Sequence, residues 1–371
     1  MIQYKYQIHR KSGERVTELI RQLRKQLHEM PELAFHEQRT KQHLMEFIKK
    51  YTTGIVVDCG LWFYVKFEAV DKRKGSIAFR ADMDAVCGAD GKAGHYCGHD
   101  GHSSILAGFA VELSKRKLER DVYLIFQAAE ETGEGARLCL DMLKRENIGE
   151  IYGMHNIPGF PLHAVLIRKG TFACASTGAE LTFTGMPSHA AYPEAGRNPA
   201  KAIAKLVLEL PFLCAEAEGI LMATVIGVDL GSSAYGVSAA EGVLRLTIRG
   251  EYEREFQSLK RQIYHLAENL AQEEELKLDI CEIEPFPATE NWKEGWENVE
   301  RAAKNLGLSI LYPEEPFRWS EDFGYYLAEV PGAMIGIGDG EGYPQLHTKE
   351  YEFPDEIMEN VWKLWMEIVE R

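Results

Sequence analysis

No apolar run in this chain approaches the length needed to span a bilayer. Its opening residues, Met1-Ile2-Gln3-Tyr4-Lys5-Tyr6-Gln7, lack the apolar core of a secretory signal. Closely paired cysteines are missing too. The seven cysteines, an odd number, lie scattered at 59, 87, 97, 139, 174, 214 and 281, with no CxxC pair. A disulfide framework is therefore not expected, and reduced thiols in a cytoplasmic protein are. Acidic residues outnumber basic ones, 57 to 42, and the formal net charge of −15 argues against nucleic acid, because phosphate binding needs clustered Lys and Arg. The chain also has no GxSxG elbow, no HExxH and no Walker loop. Gly336, Gly338, Gly340 and Gly342 follow the last sheet strand at the wrong spacing for a dinucleotide loop and read as turn residues.

A chain of 371 residues is long for one core, so two domains are expected. Val16, Leu19, Ile20, Leu23, Leu27 and Met30 recur at helical spacing until Pro31 ends the run; Leu44, Phe47, Ile48 and Tyr51 mark a second helix. Apolar strands follow at 55–58, 62–67, 77–79 and 122–126, alternating with helices at about 104–118 and 136–144. Short, nearly continuous apolar strands suit a sheet covered on both faces, hence an α/β fold with a mixed or mostly parallel sheet.

From about Gly178 the pattern changes. Glu180, Thr182 and Thr184 alternate with Leu181, Phe183 and Gly185; Asn198-Pro199 opens a helix; strands at 221–228 and 243–249 precede a long helix through Phe256, Leu259, Ile263, Leu266 and Leu270 and a last strand at 276–283. The order β-α-β-β-α-β is that of a ferredoxin-like unit. The expectation is a catalytic domain of residues 1–177 and 289–371, interrupted by an α+β lid of 178–288. The second catalytic segment carries helices near 297–306 and 321–328, a strand at 333–337 and a C-terminal helix from Asp355.

Cys97-Gly98-His99-Asp100-Gly101-His102 places a thiolate and two imidazoles within six residues. A loop or irregular turn there lets Cys97 and His99 face one point, with Asp100 and His102 orienting them from behind. Glu130-Glu131 follows the buried strand 122–126 directly, and carboxyl ends of strands are where α/β sheets bind ligands. Glu131 as a ligand and Glu130 as a general base use both groups. His155 ends another short strand and His347 follows a Gly-rich turn. Cys97, His99, Glu131, His155 and His347 are then five donors, enough for two divalent cations sharing a bridging group. Zinc and manganese suit these donors best, with cobalt or nickel as alternatives. Asp84, in Arg80-Ala81-Asp82-Met83-Asp84-Ala85, is assigned to support the site, and the role of Asp82 stays open.

Seven ordered motifs resemble the N-acyl-amino-acid amidohydrolases, the branch of the aminoacylase and carboxypeptidase metallopeptidase superfamily that includes auxin-conjugate and hippurate hydrolases. They are Arg80 to Ala85, Cys97 to His102, Phe126 to Glu131, Tyr152-Gly153-Met154-His155, Ser188-His189-Ala190-Ala191-Tyr192-Pro193, Ser320-Glu321-Asp322-Phe323-Gly324 and Leu346-His347-Thr348. The resemblance implies a binuclear metal enzyme that hydrolyses N-acyl bonds, with a lid that dimerises. It also implies that His189 polarises the scissile carbonyl, and that Arg249 matches the lid arginine that meets substrate. Two departures bear on specificity. The stretch between Asp84 and Cys97 is short, and Gly236-Val237-Ser238-Ala239 stands where the family commonly has Asn-Val-Ile-Pro. Two rival readings remain from the sequence: a dipeptidase or carboxypeptidase using the same site, and a non-catalytic metal- or small-molecule-binding relative.

Overall fold

The computed structural model describes residues 2–70, 74–215 and 217–371, with side chains from Arg15 onward. Two compact units divide the chain: Met1–Phe172 with Thr289–Glu315 and Asp322–Arg371, and Ala173–Ala288 with Pro316–Glu321.

The first unit is built on an eight-stranded sheet. Across it lie Ile55–Asp58, Phe63–Phe67, Val122–Gln127, Ser76–Asp82, Ile148–Pro158, Gly332–Gly340, Val165–Leu166 and Ile310–Leu311. The four central strands, from Val122–Gln127 to Gly332–Gly340, run parallel. The two strands on one side join antiparallel, as does Val165–Leu166 on the other, so the sheet is mixed. All six residues of Val122–Gln127 are buried, as the unbroken apolar run requires. Helices Gln38–Tyr51, His99–Leu113, Lys293–Leu306 and Met358–Glu370 share one core with the sheet through Leu44, Phe47, Ile105, Val299 and Trp362. The Phe79 ring lies 4.9 Å from Phe109 and 5.5 Å from Trp365, locking strand to helices at the middle of that core.

One helix begins where the sequence pattern did not put it. His99–Leu113 starts inside the Cys-Gly-His-Asp-Gly-His motif, five residues before the first apolar-periodic position, and ends five before 118. Every residue of it is buried, so there is no polar face to create a period. The start is set by Gly98, whose φ of 91° no β-carbon residue adopts readily and whose Cβ would stand 2.7 Å from Asn156 Oδ1. The helix expected at 321–328 is shorter, Gly324–Glu329.

The second unit has a four-stranded antiparallel sheet in the order Leu221–Leu230, Glu241–Gly250, Ala175–Thr184, Lys277–Phe286. Helices Ala200–Leu213 and Glu253–Glu273 bury Ile203, Leu206, Phe256 and Ile263 against Leu181, Phe183, Leu244 and Ile248. Chain order and strand order together are ferredoxin-like. The opening strand begins with three buried residues, which is why its alternation becomes visible only from Gly178.

Candidate metal centre

Four segments of the first unit converge at the carboxyl end of the parallel strands. Cys97 sits in the turn before His99–Leu113, and His99 is that helix's first residue. Glu130 and Glu131 lie in the turn after Val122–Gln127, and His155 lies within Ile148–Pro158. His347 belongs to the loop after Gly332–Gly340, where its N–H donates to the Tyr96 carbonyl at 2.8 Å and so ties it to the residue beside Cys97. That bond brings His347 to Cys97, 250 residues away in sequence. Cys97 Sγ is 3.2 Å from His347 Nε2 and 3.5 Å from His155 Nε2. Glu131 Oε1 is 3.6 Å from both His99 Nε2 and His347 Nε2. Two donor trios result, Cys97 with His99 and His155, and Cys97 with Glu131 and His347, each within 4.8 Å and sharing the sulfur. Glu130 stands beside them, its Oε2 3.9 Å from His99 Nε2 and its Oε1 accepting the Asp322 N–H at 3.4 Å.

Buried partners behind the donors fix their aim. Asp84 Oδ1 pairs with His99 Nδ1 at 3.2 Å, leaving Nε2 for the centre, and Asp84 Oδ2 accepts the Glu131 N–H at 3.0 Å. His155 Nδ1 is held by the Asn156 carbonyl at 2.8 Å, again leaving Nε2. Asp82 pairs with His102 at 2.7 Å, and the His102 ring lies 5.4 Å from His99 and 4.8 Å from His155. Asp100, expected to steer the ligands, instead turns back to His28 Nδ1 at 2.8 Å and Arg24. As the second residue of a helix it points about 100° away from its neighbour His99.

Other participants lie inside the quoted motifs, but the sequence assigned them no role. Arg80, fully buried in a strand, donates to Asp82, Gln127 and Asp322 at 2.7–2.8 Å, and Gln127 Nε2 also donates to Asp322. This network ties the ends of strands Ser76–Asp82 and Val122–Gln127 to the segment of Asp322. The signal available was a lone cation in the apolar run Ile77-Ala78-Phe79-Arg80-Ala81. Asn156, which bonds His102 at 2.5 Å and Asp339 at 3.0 Å, gave none.

The donor set fits a divalent cation. His99 Nε2 and Glu131 Oε1 are both buried with no hydrogen-bond partner, an arrangement that costs free energy unless something charged accepts them. Burial, reinforced by Glu131, Glu130 and Asp82, pushes the Cys97 thiol well above its ordinary range. Burial alone would depress His99, but Asp82, Asp84 and Glu131 outweigh it and raise the imidazole to about 10. Burial pushes His155 far down, so it is neutral and ready to ligate. Burial would raise Glu131, yet His347 and His99 hold it below the usual carboxylate value.

In the second unit, His189 is exposed on a loop bridged to Val237. Its Nδ1 accepts the Ala191 N–H at 3.0 Å, which fixes the proton of the neutral ring on Nε2. The next residue's N–H donates to the carbonyl of Gly236, the position that departs from the family pattern. Arg249, half-buried, donates to the Arg318 carbonyl at 2.8 Å and to Ser320 Oγ at 3.2 Å.

Residues 78–371 match the model of peptidase family M20/M25/M40. The chain is similar to an N-acetyldiaminopimelate deacetylase of Lacticaseibacillus paracasei, 27% identical over 90% of this chain and 92% of that protein. It is 29% identical to the IAA-amino acid hydrolase ILR1-like 5 of Arabidopsis thaliana, over 91% of this chain and 82% of that one. Among solved structures it resembles the Bacillus subtilis YXEP protein, a dinuclear metal binding peptidase, with a TM-score of 0.82 at 22% identity over 96% of this chain and 98% of that chain.

Proposed function

The chain belongs to peptidase family M20/M25/M40 and is a metal-dependent amide hydrolase; on that premise we propose that it releases amino acids from small N-acyl amino acids. The observation that carries this is the pair of overlapping donor trios sharing Cys97, with Glu130 alongside but in neither. The similar deacetylase and the amino-acid-conjugate hydrolase point to an acyl group on an amino-acid nitrogen.

Cys97, His99, Glu131, His155 and His347 would hold two divalent cations, manganese or zinc. Bound there, the ions supply a lowered water pKa and a polarised carbonyl. Glu130 takes the proton of the attacking water and delivers it to the leaving nitrogen, so that the C–N bond breaks to a free amine and a carboxylate. Asp84 keeps His99 in the tautomer that faces the centre. His189, with its proton fixed on Nε2, donates to the carbonyl oxygen as charge develops there. Arg249 is assigned to the substrate carboxylate.

We further assign a homodimer formed through the second unit and a cytoplasmic location. The first is supported by exposed Val225, Ile226, Val228 and Leu230 along an edge strand, the second by seven unpaired cysteines. Among the described residues no helix is long and apolar enough to cross a membrane.

A panel of acetyl- and benzoyl-amino acids and dipeptides, assayed after chelation and after reloading with manganese, zinc or cobalt, tests the reading. Metal-restored release of free amino acid from the acyl compounds is expected. Cleavage of dipeptides alone would replace the reading with a dipeptidase.

A further inference from the structure

The turn that presents Glu130 and Glu131 begins with a backbone conformation that Ala129 does not favour. Its φ is 55°, in the left-handed region, and the residue is fully buried. Something outside the turn must hold it. The Ala129 carbonyl accepts the Gly135 N–H at 3.0 Å, and the Ala129 N–H donates to Glu37 Oε1 at 2.7 Å. Two residues on, the Glu131 N–H is held by Asp84. Carboxylates from two other segments therefore grip the turn at both ends.

We propose that Glu37 is a positioning residue for this reaction, its carboxyl fixing the left-handed Ala129 and thereby the directions of Glu130 and Glu131. The inference rests on the reading of Glu130 as base and Glu131 as ligand. Glu37 is 3% exposed and its second oxygen is buried with no hydrogen-bond partner. Burial and the charge of Asp84 raise its carboxyl to about 7. An apolar side chain would avoid both costs, so the carboxyl is there for the bond it makes. Its own segment is well anchored. Glu32 accepts from Thr40 N at 2.8 Å, Thr40 Oγ1 at 3.0 Å and Arg39 Nε at 2.9 Å, and the Glu32 carbonyl accepts the Ala85 N–H at 2.8 Å. Residues 32–40 thus clasp the loop of Asp84 with one end and the turn of Glu130 with the other.

The test compares Glu37→Met, Glu37→Gln and the Glu37→Met/Ala129→Gly double with wild type. It measures turnover of an N-acyl amino acid that the wild type cleaves, and calorimetric binding of Mn²⁺ to the metal-stripped protein. Loss of a group that orients ligands commonly costs about 10–100-fold in affinity or activity, and Glu37→Met should lose that much in both. Glu37→Gln keeps an acceptor for the Ala129 N–H and should stay within about threefold by the same measure. Glycine adopts the left-handed conformation freely, so Ala129→Gly should restore most of the Glu37→Met loss. Wild-type behaviour in Glu37→Met would overturn the proposal, as would an equal loss in Glu37→Gln or a loss the glycine leaves untouched. If Glu37→Met is insoluble, the double variant carries the comparison, and its failure to fold would assign Glu37 to packing alone. Glu130→Gln run alongside separates the two ideas: near-normal turnover there removes the base, while the Mn²⁺ measurement still judges Glu37.

Discussion

Cys97 and His99 carry the wrong protons for ligation when only protein groups surround them. The thiol is protonated far above neutrality and the His99 imidazole stays charged up to about pH 10, whereas a cation requires thiolate and neutral imidazole. Binding near pH 7 must therefore expel protons, and affinity must rise with pH over that range. Calorimetry of the stripped protein with Mn²⁺ in buffers of different ionisation enthalpy should show net proton release at pH 7 and tighter binding at pH 8 than at pH 6. Affinity independent of pH would show that these two groups do not ligate. Glu130 makes the complementary prediction, since it borders the donors without belonging to the shared trios. Glu130→Gln should retain both metals and lose turnover by about 10²–10⁴-fold, the scale of a general base; metal analysis beside initial rates decides it. Loss of metal from that variant would make Glu130 a ligand instead.

The elements explain which parts of the centre could be read from sequence. Strand Val122–Gln127 was legible because both its faces are buried, and with it came the Glu130-Glu131 turn at its carboxyl end. The second unit was legible because its strands alternate over helices with clear apolar faces. Helix His99–Leu113 was not, since burial on every side erases the period on which such readings depend. Hence Asp100 was expected among the supporters of the ligands, and only the helical geometry shows it facing His28. Arg80, Gln127 and Asp322 each lie in a quoted motif, but their meeting was hidden for another reason: it joins positions 242 residues apart, and no local pattern records that. Gly135, first residue of the helix Gly135–Arg145, shows how tightly the turn is packed. A Cβ there would stand 1.8 Å from the Ala128 carbonyl oxygen, while one at Gly342 would meet nothing within 4 Å. Gly135→Ala should lower stability by about 1–3 kcal/mol, the cost of overpacking, and reduce turnover by displacing Glu130. Gly342→Ala should stay within about 0.5 kcal/mol of wild type. Denaturant midpoints on both variants give the comparison, and equal midpoints would mean that the turn yields easily.

For the whole molecule, the exposed edge of the second unit sets the question of assembly. Among the described residues Leu221–Leu230 is an outer strand of its sheet, and Ile226 is 61% exposed on it. Leu208 and Phe212, 69% and 71% exposed, project from helix Ala200–Leu213 of the same unit. A long apolar edge left bare invites pairing with another chain, and a two-fold axis beside it would match this strand to its own copy. Antiparallel pairing there would join two four-stranded sheets into one of eight. Two copies of a chain with a formal charge of −15 repel one another at long range, so added salt should strengthen the association by screening. Sedimentation of the wild type should give a dimer that tightens with salt, and Ile226→Glu should sediment as a monomer because it places like charges face to face across the axis. A dimer that survives Ile226→Glu, or one that loosens as salt rises, would move the interface away from this strand.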